Sequence, residues 1–304
     1  MTAIDLNGVT KEYGDVLALN DLDLRIDDGE IFGFLGPNGA GKSTTINILL
    51  DFVRPTAGSV EVLGLDARQH SQEIRARTGV LPEGFQVYER LTGRQHLQFA
   101  IESKGTTDDP DHLLDRVGIP EAADRKAGGY SKGMKQRLTM AMALVGEPEL
   151  LILDEPTTGL DPRGAKEVRK IVRQERDRGA TVFFSSHILE QVQAVCDRVG
   201  ILREGELVAV DTIDGLREAA GGESSLSVRV DAVTDGVVEA VRSMNGVQEV
   251  TVTDSTLSVT CEEGVKTRVI TTIEDNGATV EDFSTEETSL EDLFMSYTSE
   301  GARP

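Results

Sequence analysis

Tryptophan is absent from the 304 residues, and aromatics of every kind make up 4% of the chain. A core without large rings must be filled by aliphatic side chains, and hydrophobic residues still reach 38%. Missing too is any run of roughly 18–20 uncharged apolar residues of the kind that crosses a bilayer. The most apolar pieces, Ile31–Leu35 and Leu150–Leu153, have strand length and are bounded by Gly or acidic residues. The opening MTAIDLNGVT carries neither the basic region nor the apolar centre of an export signal, so the chain is expected inside the cell. Cysteine is scarce: Cys196 and Cys261 stand far apart, with neither a disulfide framework nor metal-ligand spacing, and Cys196 reads as a buried free thiol. Positive charge is short, with 31 Lys+Arg against 53 Asp+Glu and a net charge of −22. Such a field repels long polyanions, so no nucleic-acid partner is expected. Acidic excess with Arg outnumbering Lys suits a high-salt cytosol, where salt screens the repulsion.

The length is ample for a buried core and for one large or two moderate domains. To about residue 82 the pattern reads as strands with one prominent helix: LDLRIDD alternates, IFGFLG is a short apolar run, and a helix opens at Lys42. From Leu91 to about Gly146 the spacing turns helical. LLILDEP and TVFFSSH are continuous apolar runs suited to strands buried on both faces of a parallel sheet, and Asp161–Gly179 between them is a charged amphipathic helix. Ile188, Val192, Val195 and Val199 recur at helical spacing. Strand–helix alternation of this kind predicts an α/β layered domain. Composition shifts at Ala219–Ser225, so we expect a domain over 1–220 and a second over 221–304. The second reads β-α-β-β-α-β, the split βαβ or ferredoxin-like order, and closes on SLEDLFMSYT, a helix capped by Ser289 with Leu290, Leu293, Phe294 and Tyr297 on one stripe.

Two segments carry chemistry by their residues alone. Gly36–Thr44 reads GPNGAGKST, between an apolar strand and a helix. Gly36, Pro37, Asn38, Gly39, Ala40 and Gly41 let backbone N–H groups curl around phosphate oxygens at a helix N-terminus. Lys42 reaches the β- and γ-phosphates, and the Ser43 hydroxyl, followed by Thr44, is placed to ligate Mg²⁺. In LLILDEP, Asp154 ends a buried strand where it can hold Mg²⁺, and Glu155 follows where a water could be polarised and its proton accepted.

With YSKGMKQR (Tyr130–Arg137) lying between these two, the chain resembles the ABC transporter ATP-binding proteins. The resemblance covers residues 1 to about 215 in family order. It implies a P-loop NTPase core with a helical subdomain at about 84–146, ATP hydrolysis, and ATP and Mg²⁺ as ligands. Ser131, Lys132, Gly133 and Met134 match the signature that contacts the γ-phosphate held by a second protomer; alone, Ser131 and Gly133 read as the capped start of a helix. Asp161 in TTGLD resembles the D-loop aspartate. His187 in FFSSH resembles the switch histidine, where its bare reading is a satisfied core histidine. Tyr13 resembles the aromatic that stacks on adenine, where its bare reading is a half-buried strand residue. Glu83, in LPEG, stands where the family usually has Gln, and a carboxylate there can still approach Mg²⁺.

The resemblance implies a second copy or a paralogous subunit, and an integral-membrane permease met near Phe85–Arg94. The chain would then be peripheral on the inner face of the cell membrane. YSKGMKQR, LTGRQHL and SLEDLF are similar to ATPases of ABC-2-type systems, often exporters. They are also similar to the ATPase of the transporter that matures the copper enzyme nitrous oxide reductase. A soluble ABC ATPase acting on ribosomes or DNA is the rival from another class, disfavoured by one cassette and no basic patch. The second domain reads as a structural and regulatory appendage, with ligand sensing the alternative.

Overall fold

The computed structural model describes residues 1–219 and 223–287, and the expected helix at Ser289–Tyr297 lies outside them. The chain divides after Ile213 into two compact units.

The first unit opens with β1 (Thr2–Tyr13) and β2 (Val16–Asp27), an antiparallel pair whose alternation buries Leu22, Leu24 and Ile26 on one face. Then β3 (Ile31–Leu35), wholly buried, runs into the Gly-rich turn and α1 (Lys42–Leu49). Strands β4 (Ala57–Val62) and β5 (Leu65–Asp66) complete a sheet ordered β2-β1-β4-β5. A second helix, α2 (Ser71–Arg77), precedes β6 (Thr78–Leu81); the sequence pattern shows one helix here because α2 buries Ile74 alone and has no apolar stripe.

Three helices follow. In α3 (Gly93–Lys104) Thr92 and Gln95 form a reciprocal capping box and Gly105 closes the end in the left-handed region. In α4 (Pro110–Arg116) Asp109 caps and Pro110 takes the first position, where no N–H is needed. In α5 (Lys132–Ala143) Ser131 is the cap. Next come β7 (Leu150–Asp154), α6 (Pro162–Arg178) and β8 (Thr181–Ser186). Asp161 caps α6 and Gly179 ends it at φ 106, so the expected Asp161–Gly179 span includes both caps. Helix α7 (Leu189–Gln193) is shorter than the spacing predicts, because Val199 belongs to the next strand, β9 (Arg198–Arg203), paired with β10 (Glu206–Thr212). Cys196 is free and part-buried, and burial raises its thiol pKa.

The large sheet runs β10-β9-β3-β8-β7-β6, parallel except at β10. Strands β3, β7 and β8 are buried along their whole lengths, as central strands covered on both faces must be. Phe34 and Phe183 meet at 5.1 Å between centroids, so several of the scarce aromatics serve the core. In register, Leu35 lies opposite Ser186 and Asp154 opposite Ser185. Three strands therefore end level, and the residues after them leave the sheet along one carboxyl edge, where ligands of open α/β sheets bind.

The boundary falls at the first residue of α8 (Ile213–Ala219), and the second unit continues with β11 (Glu223–Val230), α9 (Asp235–Arg242), β12 (Val247–Thr253), β13 (Thr256–Glu262), α10 (Lys266–Asp275) and β14 (Val280–Glu287). Its antiparallel sheet is ordered β12-β13-β11-β14, the split βαβ arrangement. Leu226, Val228, Leu257 and Val259 face Val237, Val241, Val269 and Ile273 of α9 and α10 in one aliphatic core.

Candidate functional site

At the carboxyl edge of β3 the chain must turn tightly before α1. Gly41, at φ 113, is the residue preceding α1; a Cβ there would sit 2.7 Å from Leu19 Cδ2 and 2.8 Å from the Ala18 carbonyl oxygen. Gly36 is closed in as well, since a Cβ would lie 2.5 Å from the Leu202 oxygen. Glycine is thus required for space at Gly36 and for both space and backbone at Gly41. The first N–H groups of α1 have no side-chain cap, which leaves them available to an anion.

Lys42 is buried and folds back on this turn, donating to the carbonyls of Gly36 at 2.6 Å and Pro37 at 3.2 Å, with Glu155 Oε1 4.0 Å away. Burial lowers its pKa, against the upward pull of Glu155, Asp154 and Glu83. Asp154 accepts from the Ser185 hydroxyl at 2.9 Å. Burial raises its pKa, the Ser185 bond lowers it, the charges of Glu83 and Glu155 raise it, and Lys42 lowers it. Two carboxylates and one ammonium therefore lie buried together at the strand ends.

Glu155 is buried and left-handed at φ 49. Its Oε1 lies 2.7 Å from His187 Nδ1, and its Oε2 accepts from Ser186 at 3.3 Å and Thr158 at 3.4 Å. A carboxylate only accepts, so Nδ1 carries the hydrogen, and Nε2 of the half-exposed His187 is left to act on whatever enters. The structure thus brings Lys42, Asp154, Glu155 and His187 into one constellation, with Glu83 on the exposed loop beyond β6 near enough to act on Lys42 and Asp154. Ser185 and Ser186, which hold the two carboxylates, were missed by sequence reasoning. The only signal was a pair of hydroxyls ending an otherwise apolar strand.

The other expected residues gather elsewhere. The Ser131 hydroxyl accepts from Met134 N–H at 3.2 Å, and Asp161 accepts from Gly164 N–H at 2.8 Å, each capping its helix. Ser131, Lys132, Gly133, Met134, Gly159 and Asp161 line part of a cleft of about 460 Å³ that includes none of residues 36–44. Lys132 lies across Gly159, where a Cβ would come within 2.3 Å of Lys132 Cε. Tyr13 ends β1 with its ring exposed, and the Lys11 ammonium sits 4.8 Å from the ring centre. Ser43 is exposed in the first turn of α1. Among the described residues, no helix is long and apolar enough to cross a membrane, and no three His, Cys, Asp or Glu side chains cluster to hold a metal ion.

The ABC transporter family model matches residues 19–158, and the model for the C-terminal domain of DrrA1-3-like ATP-binding proteins matches residues 212–298. Daunorubicin resistance ATP-binding protein DrrA2 of Streptomyces coeruleorubidus is 36% identical over 305 residues, covering 97% of this chain and 95% of that protein. Bacitracin transport ATP-binding protein BcrA of Bacillus licheniformis is 40% identical over 223 residues, 71% of this chain and 72% of that one. Among solved structures, a dimeric post-hydrolysis state of an ATP-binding cassette bound to ADP and Pi aligns with a TM-score of 0.64 at 24% identity. That alignment covers 69% of this chain and 98% of the other, a likeness of fold.

Proposed function

The chain belongs to the ABC transporter ATP-binding proteins and is an ATPase of that family, and from this premise we propose that it powers an exporter by clamping ATP between two copies. The observation that carries this reading is the separation of the two phosphate-facing halves: Ser131 opens on a cleft that lacks every residue of the Gly36–Thr44 turn. One copy offers the turn, Lys42, Asp154 and Glu155; a second copy or a paralogue offers Ser131, Gly133 and Met134. A two-fold arrangement completes both sites at once. The similar cassette bound to ADP and Pi is itself dimeric, which supports pairing.

In that arrangement the N–H groups of Gly39–Thr44 surround the phosphates and Lys42 turns its ammonium from the Gly36 carbonyl to the γ-phosphate. Tyr13 offers its exposed ring to adenine. A hard cation suits the donors present, the Ser43 hydroxyl and the Asp154 carboxylate with Glu83 nearby, and must draw its remaining ligands from phosphate and water. Held by these residues, Mg²⁺ would supply neutralisation of phosphate charge. Glu155 accepts the proton of the attacking water, and His187, its Nδ1–H fixed on Glu155, presents Nε2 to the water or the γ-phosphate. Asp161 holds the start of α6 beside the signature cleft.

The permease is proposed as a separate ABC-2-type integral-membrane protein, and attachment to it would keep the chain on the inner face of the membrane. An amphipathic antibiotic is the proposed cargo class. Support comes from the near full-length similarity to a daunorubicin resistance protein and from the DrrA1-3-like model over the second unit.

Glu155→Gln tests the motor. It is expected to retain ATP binding, to lose about 10²–10⁴-fold in turnover, and to accumulate two-copy species with ATP on sizing. Normal turnover, or no ATP-dependent association, overturns the reading. Membrane vesicles holding the chain and its co-purifying permease should accumulate daunorubicin only with ATP; no accumulation overturns the cargo class.

A further inference from the structure

His96, in the segment LTGRQHL, plays no part in the site just described, yet it is 1% exposed and uses both ring nitrogens. Nδ1 lies 2.7 Å from the Thr92 carbonyl oxygen, one turn back in α3, and the Tyr88 N–H donates to Nε2 at 2.9 Å. A carbonyl only accepts, so Nδ1 carries the hydrogen and Nε2 is the acceptor. The Tyr88 ring stacks on the imidazole, with 6.1 Å between centroids. The loop that starts at Pro82 and Glu83 is therefore tied at Tyr88 to the first turn of α3.

Just past that tie the loop is bonded to a second segment. Gly128 N–H donates to the Glu89 carbonyl at 3.0 Å, Ala127 N–H donates to the Leu91 carbonyl at 2.8 Å, and Thr92 bridges to Lys126. The approach is close, since a Cβ on Gly128 would lie 3.0 Å from the Glu89 oxygen. Residues 126–128 lead at once to Tyr130, whose hydroxyl donates to the Ala122 carbonyl at 2.6 Å, and to Ser131. Backbone bonding from residues 89–92 to residues 126–128 thus joins the loop that begins at Glu83 to the segment leading into α5, and His96 holds the same loop at Tyr88 against α3.

We propose that His96 is a positioning residue that makes the Glu83 loop and the Ser131 cap move as one body. A change at the nucleotide side of one is then felt at the other. The proposal rests on Ser131 contacting the nucleotide of the partner copy, as argued above.

The test uses the whole chain with two readouts, amide hydrogen exchange and steady-state ATP hydrolysis. His96→Leu keeps the bulk and removes the acceptor; His96→Gln retains an amide oxygen within reach of Tyr88 N–H. In His96→Leu, exchange at Tyr88, Ala127 and Gly128 should speed by about tenfold or more and kcat should fall about tenfold, because small misplacements of reacting groups are costly. KM for ATP should stay within about twofold, since the residues of the Gly36–Thr44 turn are untouched. His96→Gln should recover both exchange and kcat. Unchanged exchange in His96→Leu, fast exchange with normal kcat, or a glutamine variant as impaired as the leucine one each overturns the proposal. Gly128→Ala, which presses on the Glu89 carbonyl, opens the same junction from its other side and should give the same split should the leucine variant not fold. Failure of the two-copy reading would show separately, as no ATP-dependent association of Glu155→Gln on sizing.

Discussion

Lys42, Asp154 and Glu155 expose 6%, 5% and 4% of their surface, whereas Ser131 and Lys132 stand exposed at the rim of an open cleft. The first group is buried, and each polar side chain in it is held by a named partner: Gly36 and Pro37 for the ammonium, Ser185 for one carboxyl group, and Ser186, Thr158 and His187 for the other. At the second, Ser131 and Asp161 spend a side-chain oxygen on capping their own helices. Residues that do chemistry need low dielectric and fixed geometry before the substrate arrives. A surface that recognises a ligand carried by another molecule must stay open until that molecule docks. The contrast is what a composite site looks like in a single copy.

The largest expected effect breaks the comparison at its buried side. Lys42→Met should cost about 10²–10³-fold in turnover, the loss of one preorganised charge on the phosphates, measured by phosphate release at saturating ATP. Mixing that inactive copy with inactive Ser131→Ala sharpens the comparison further. A two-copy site leaves one intact half per mixed pair, so activity should recover to about a quarter of wild type. No recovery would place the whole site within one copy.

Ser131→Ala alone should remove nearly all turnover while leaving ATP binding to the isolated chain within about twofold, and should cost about 1 kcal/mol in thermal unfolding from the lost helix cap. The smallest effect concerns Asp154. Burial raises its pKa above the ordinary 3.8, so the nucleotide-free fold holds a proton there more readily than the unfolded chain does. The stability it contributes is full below that value and is lost as pH rises through the raised one. Asp154→Asn fixes a neutral side chain that can still accept from Ser185. It should raise Tm of the nucleotide-free protein by a few degrees at neutral pH, with the gain vanishing in acid, while turnover falls.

Much of this was legible in sequence where a single strand or turn decides the outcome. IFGFL, LLILD and TVFFSS read as doubly buried strands because nothing interrupts their apolar runs, and they became β3, β7 and β8. The GPNGAGKST turn read correctly as a strand-to-helix turn because two of its glycines meet neighbours that leave no room for a Cβ. Local periodicity failed where burial came from elsewhere. Val199 sits at helical spacing from Val195, but it is buried by pairing in a sheet. Helix α2 has one buried side chain and so no stripe to read. The serines holding Asp154 and Glu155 lie 31 residues downstream of them, and only the register of β7 against β8 brings them together. His96 read as part of a family-like segment, and its use of two ring nitrogens became visible only once the loop before it had a path.

The left-handed backbone at Glu155 also limits what can replace it. At φ 49 a β-branched side chain would crowd its own carbonyl, and even an unbranched one pays about 1–2 kcal/mol. Glycine and asparagine pay least there, yet one has no side chain and the other is a methylene short of His187. In a library of all substitutions at this position, Val, Ile and Thr should drop out through poor folding, before catalysis is ever measured. The inactive proteins recovered would be dominated by small and amide-bearing residues, so a survey scored on growth alone would mistake a conformational filter for a chemical preference.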